Sequence, residues 1–170
     1  MKKFNALFAA ILAGAFLVMH VHAADETKKE KKSLVTINAD KMHYNKEKGC
    51  MIVDNNVVVK LDENSLMADK VIAYQGTTAD GKKDFTKIVA TGNVVIKTPD
   101  RTLLGKKGVW ERNKKIIRVT GDPVVKLKSG QEVKAEVIKY DLVLGKCTFE
   151  GAAKAQMSIS DDDNFDLSGF

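Results

Sequence analysis

The sequence predicts an all-β domain: one twisted antiparallel sheet, folded over on itself and built solenoid-like from four stacked repeats. Three observations predict it. Apolar and polar residues alternate with period two across residues 34–157, and β-branched residues are abundant there, the pattern of half-buried strands. Helical spacing is absent outside the N-terminal apolar run. A small anchor and a polar neighbour recur as Ala39 with Asp40, Ala68 with Asp69, Gly105 with Lys106 and Ala135 with Glu136, in steps of 29, 37 and 30 residues. A period of this size marks units that cannot bury their apolar face alone and must stack.

Each unit opens on an alternating segment through its anchor, led by Ile37, Leu66, Leu103 or Val133. It then reaches an aromatic residue: Tyr44, Tyr74, Trp110 or Tyr140. It closes on a second strand that passes through Asn55 and Asn56, Gly92 and Asn93, Gly121 and Asp122, or Gly151 and Ala152. The long step comes from a polar insertion at 77–83, which reads as a longer turn. Aligned on those turns, Val57, Val94, Pro123 and Ala153 share a column, as do Val59, Ile96, Val125 and Ala155, and Leu61, Thr98, Leu127 and Met157. Side chains of a strand point to alternate faces, so these columns form one apolar lining. Met51, Val53, Ile88, Ala90, Ile117, Val119, Cys147 and Phe149 join it from the strand before each turn. On the other face, Lys60, Lys97, Lys126 and Lys154 are expected as a water-facing ladder. The stack is open, so each end carries an edge strand, Val35 to Ala39 at one and the strand near Gln156 at the other. Those edges either add a further similar domain head to tail or are covered by the chain's own ends.

The chain's ends have their own composition. Lys2 and Lys3 precede an uncharged apolar run at 4–19, and Val21 and Ala23 place small residues where a signal peptidase reads. A cleaved secretory segment at 1–23 is the expectation, with an uncleaved anchor as the alternative. The mature chain then begins at Ala24 with a charged linker at 24–33, and 158–170 is an acidic tail. That tail lacks the Gly and distal Glu of a calcium loop. The chain carries 28 Lys and Arg against 22 Asp and Glu, a net charge of +6, and the excess lies in the repeats. It suits an anionic partner, but the cations stand singly on alternating positions. For an exported chain an anionic lipid or polysaccharide fits better than nucleic acid.

Residue chemistry argues against an enzyme. His20 and His22 leave with the secretory segment, so His43 stands alone, on the solvent face, and builds no triad. No Cys and His cluster suggests a metal, no serine sits in a nucleophile elbow, and the turn glycines form no phosphate loop. No cofactor is expected. Cys50 falls in an outward column and Cys147 in an inward one. They belong to the first and last units, at roughly 14 Å, beyond the reach of a disulfide. Two free thiols are expected, with the reactive one at Cys50.

The run Val35 to Tyr44, the strand Val53 to Leu61, the run Met67 to Tyr74 and the segment Ala90 to Val95 together resemble the LptA/OstA family of periplasmic lipopolysaccharide transport proteins. LptC-like proteins and the N-terminal domain of LptD-like proteins are relatives. The resemblance spans about 34–157, and the third unit departs from it with Gly105 and Lys106 in place of Ala and Asp. It implies an open β-jellyroll whose interior holds lipid A acyl chains, and head-to-tail self-association into a bridge with LptC-like and LptD-like partners. The implied lipid-binding lining is Ile37, Met51, Val53, Val57, Val59, Leu61, Leu66, Ile88, Val94, Ile96, Leu103, Ile117, Val119, Val125, Leu127 and Phe149. Lys41, Lys70 and Arg101 are the candidates at the rim for lipid phosphates. The alternatives are a membrane-anchored LptC-like receptor of the same fold and a ligand-free structural β-repeat module with a self-filled core.

Overall fold

The computed structural model describes residues 35–156. The expected secretory segment, charged linker and acidic tail lie outside the described residues. The strands are β1 (Val35–Asn38), β2 (Lys41–Asn45), β3 (Cys50–Leu61), β4 (Asn64–Thr77), β5 (Lys83–Lys97), β6 (Arg101–Glu111), β7 (Ile116–Thr120), β8 (Val124–Leu127), β9 (Glu132–Lys134), β10 (Val137–Asp141), β11 (Lys146–Glu150) and β12 (Lys154–Gln156). All twelve belong to one antiparallel sheet that does not close into a barrel.

The sheet is folded along a line of bends into two half-sheets. The first runs β2, β3, β4, β5, β6, β7, β10, β11. The second runs β1, β3, β4, β5, β6, β8, β9, β12. The long strands β3 to β6 cross the fold line and serve both. Each expected unit enters through the second half-sheet, turns within the first and returns. The polar insertion is the turn between β4 and β5, closed by backbone bonds from Thr78 N to Lys82 O (2.8 Å) and from Gly81 N to Thr78 O (2.9 Å).

The bends are local and repeated. Ladder register shifts between Asp54 and Val57 and between Thr91 and Val94. The residues that shift it are left-handed: Asn55 (φ 62°) with Asn56 (φ 52°), Gly92 (φ 73°) with Asn93 (φ 47°), and Gly121 (φ 77°) with Asp122 (φ 56°). Asn, Asp and Gly are the residues that tolerate this region. In the first three units the polar neighbour of the anchor meets the next strand at the bend and holds it. Asn56 Nδ2 donates to Asp40 Oδ2 at 3.0 Å, and Asn93 Nδ2 donates to Asp69 Oδ2 at 3.0 Å. The third unit keeps the contact with its chemistry exchanged: Lys106 Nζ donates to Asp122 Oδ2 at 2.6 Å. The departure at Gly105 and Lys106 is therefore compensated by the neighbouring segment at the bend, since the amide position now holds the acid. Hydrogen bonding to Lys106 holds the Asp122 carboxyl below its usual range.

The inward columns pack into one cluster that includes Val53, Val57, Val59, Leu66, Ile88, Val94, Ile96, Leu103, Ile117, Val119 and Val125, all buried. Ile37, Leu127 and Phe149 flank it, partly buried. Two expectations about the outer face need correction. Lys60, Lys97 and Lys126 do share an outward row, spaced by Ser65 and Thr102. Lys154 does not join them: it pairs with Lys134 and lies nearer the bend, and Gln156 takes the row position opposite Glu132. Nor is the outer face uniformly polar. Val58, Met67, Val95, Leu104 and Val124 form a half-buried outward row, and Ile52, Ile72, Val89 and Val109 form another. Adjacent β-branched residues on both faces stiffen the strands beside the bends.

Cys50 is the third correction. It is 1% exposed, not a reactive surface thiol. It stands outside the main apolar cluster, with Asn45 and Tyr74 as register partners on its flanking strands. A side chain this small is covered by larger neighbours even on an outward face. Both cysteines are free, with β4, β5, β6, β7 and β10 between their strands.

A Cβ at Gly92 would fall 2.1 Å from Asp69 Oδ2 and 2.8 Å from Asp69 Cβ, whereas one at Gly81 (φ +81°) meets nothing within 4 Å. Gly81→Ala is expected to lower unfolding free energy by about 1 kcal/mol and Gly92→Ala by about 2–3 kcal/mol, read from urea denaturation midpoints. Lys106→Asp alone sets two carboxylates together and should lower the thermal midpoint. Adding Asp122→Asn recreates the second unit's acid–amide pair and should restore it.

Candidate functional site

The space between the half-sheets is walled by aliphatic side chains from β3 to β8, because every strand that crosses a bend turns the same face inward. In this state the walls touch. The gap among Leu66, Ile88, Ala90, Ile96, Gly108, Trp110 and Ile117 measures about 10 Å³, close to the space of one water and too small for an alkyl chain. The apolar interior is thus closed, and only separation of the half-sheets would turn it into a trough.

The expected lining residues, Met51 and Leu61 included, are buried in this interior, except Ile37, Leu127 and Phe149, which pack against its edge partly buried. Trp110, Tyr140, Phe85, Ile138, Val71 and Leu142 belong to it as well and were absent from the expected lining. Their signal was available. Trp110 pairs with Ile88 and Ile117, and Tyr140 pairs with Ile117 and Cys147, so strand parity alone faces them inward.

The three expected rim cations separate. Lys41 and Lys70 flank Asp54 in register on the outer face, and Lys70 Nζ lies 2.8 Å from Asp54 Oδ1. The sheet itself stands between them and the interior, so they form no rim. Arg101 lies at the mouth but turns inward, only 8% exposed. The turn into β6 places it there: Pro99 leads into Asp100, and Arg101 N donates to Thr98 Oγ1 at 3.2 Å.

Arg101 is the interior's buried cation. Its Nε and Nη2 donate to Asp100 Oδ2 at 3.0 and 2.7 Å. Its Nη1 reaches Cys147 Sγ at 3.5 Å, and its guanidinium carbon lies 5.0 Å from the centre of the Tyr140 ring. Asp100 and Arg101 belong to one half-sheet, Tyr140 and Cys147 to the other. Burial works against the guanidinium charge, but the Asp100 bonds outweigh it and its pKa is raised. Burial likewise tends to raise the Asp100 carboxyl, while bonds from Arg101 and Thr98 bring it below the usual range. Burial pushes the Cys147 thiol and the Tyr140 phenol up, with the Arg101 charge opposing both. An open cleft of about 510 Å³ adjoins the arginine, lined by Pro99, Asp100, Leu127, Lys128 and Ser129.

Against this geometry, residues 36–146 match the family model described as LptA/(LptD N-terminal domain) LPS transport protein. The chain belongs to this family. The match covers well over half of the sequence, including the bends of the first three units. Among solved structures, the chain is similar to LptH from Pseudomonas aeruginosa, described as the LptA-homologous periplasmic component of the conserved lipopolysaccharide transport device. The TM-score is 0.64 at 14% identity, covering 78% of this chain and 100% of that one. At that identity the likeness speaks for the fold, an LptA-type open jellyroll. No curated protein matches in sequence.

A buried thiol reacts slowly, and at Cys147 the raised pKa adds to that effect. Cys147 and Cys50 should therefore both resist a polar thiol reagent in the folded protein and both label promptly after denaturation without reductant. Rapid native labelling of Cys50 would restore the expected exposed, reactive thiol.

Proposed function

We propose that this chain is a periplasmic lipopolysaccharide carrier that takes lipid A acyl chains between its half-sheets. It passes them between LptC-like and LptD-like partners through similar domains stacked at its open ends. The observation that carries this reading is the continuous inward row Val59, Leu66, Ile96, Leu103, Val125, one residue from each successive strand. It gives an alkyl chain an unbroken apolar path across the stack. Each buried methylene is worth about 0.8 kcal/mol, so a chain of a dozen carbons gains on the order of 10 kcal/mol. Against that gain stands the separation of walls now in contact. Released into water the lipid would be trapped, so transfer runs from interior to interior between sites of similar affinity.

Support for stacking comes from the ends. Among the described residues, β1 and β2 pair only with β3, and β11 and β12 each pair with one strand. Both half-sheets therefore end in strands able to extend the ladder. The secretory segment, which the periplasmic assignment needs, is carried by the sequence alone. The closed interior favours a second reading, a ligand-free β-repeat assembly module.

Photocrosslinking separates the two. With a photoreactive residue at position 57, 94 or 117, incubation with lipopolysaccharide should yield lipid adducts, while the same residue at position 97 on the outer face should yield none. Adducts at 97 without adducts at the three inward positions would count against the carrier, and no adducts at any of the four would favour the assembly module.

A further inference from the structure

We propose that Arg101 binds the anionic group of the acylated ligand and, before ligand enters, holds the mouth of the interior shut as a strut between the half-sheets. This rests on the acyl-binding reading above and adds to it the residue that recognises the headgroup and its coupling to opening.

The guanidinium has two unequal sides. Toward solvent it is held by Asp100, whose side chain is 58% exposed against 7% for Arg101. Toward the interior its partners are the Tyr140 ring and the Cys147 sulfur, both on the opposite half-sheet. A thiol and a π face are weak partners for a fork of five N–H donors. A phosphate or carboxylate oxygen is a much stronger one, and the planar fork donates to such a group in a bidentate manner. Exchange of Tyr140 and Cys147 for such an oxygen is therefore favourable. It also removes the contact that spans the mouth, so anion binding and separation of the half-sheets become one event. The adjoining cleft gives the headgroup a place, with Lys128 in its lining and Leu127, the register partner of Arg101, at the start of the apolar path. Asp100 remains as the counter-charge, which keeps the arginine at the mouth after the strut opens.

Isothermal titration of the full exported chain with decyl phosphate, 1-decanol and inorganic phosphate tests this. The wild type should bind decyl phosphate about tenfold more tightly than decanol, with inorganic phosphate alone too weak to detect. Arg101→Gln should bring the two alkyl compounds within roughly twofold of each other while decanol binding persists. Arg101→Lys, which keeps the charge without the fork, should retain a roughly threefold preference and serves if the Gln variant does not fold. Tyr140→Leu leaves the cation but loosens the strut. It should tighten decyl phosphate by about threefold and speed labelling of Cys147. A preference that survives intact in Arg101→Gln overturns the headgroup role. Unchanged or weaker decyl phosphate binding in Tyr140→Leu overturns the strut. Inorganic phosphate binding as tightly as decyl phosphate would make this a free-anion site and sink the proposal. Failure of both alkyl compounds to bind the wild type would instead sink the acyl-binding reading beneath it.

Discussion

Two left-handed residues in the middle of a β-strand, locked by a polar side chain from the strand beside them, set every larger feature of this protein. The pairs in β3 and β5 turn the strand through the fold line without ending it, and Gly121 with Asp122 joins β7 to β8 there, so one sheet supplies both walls of its own interior. Asp40 with Asn56 and Asp69 with Asn93 hold the bend by an amide donating to a carboxylate. Lys106 with Asp122 holds it by a salt bridge. The lock conserves the contact and not the residue types, and Gly92 leaves room for Asp69 to reach its partner. Because the bends align, the strands on either side keep their parity, and the inward columns stay buried through the third unit, while Ala153 and Ala155 at the open end are exposed.

That alignment gives an interior apolar enough for acyl chains, yet the interior is packed. A sheet folded on itself has no reason to stay apart when both inner faces carry Val, Ile and Leu: contact buries them from water. Occupancy by a lipid then exchanges wall-to-wall contact for wall-to-chain contact. The balance favours the lipid only insofar as its own chains leave water. An open sheet allows this, since half-sheets joined along one line can part along the other, whereas a closed barrel would have to break ladder bonds.

Charge placement divides the molecule. Most lysines lie on the outer face, where Lys60, Lys97 and Lys126 form a solvated row and Lys70 pairs with Asp54. Arg101 is the exception, a cation turned into the apolar interior at its mouth and kept ionised by Asp100. Guanidinium tolerates this better than ammonium because its charge is delocalised and less strongly hydrated.

The sequence by itself determined the four-unit repeat, the strand parity and therefore the inward columns. Period-two alternation is a local property, and the turn residues at 55, 92, 121 and 151 announce themselves by type. It also placed Lys60 and Lys97 outward and left both cysteines unbridged. Only the tertiary structure decided what lay in the distance between strands. It buried Cys50 beneath its neighbours, moved Lys154 out of the lysine row, and set Lys41 and Lys70 behind the sheet. It swung Arg101 across the mouth to Tyr140 and Cys147, 39 and 46 residues away in sequence. Parity tells which face a side chain leaves from; how closely the opposite wall approaches depends on the bend angle and on packing between residues remote in sequence, and no local pattern records either.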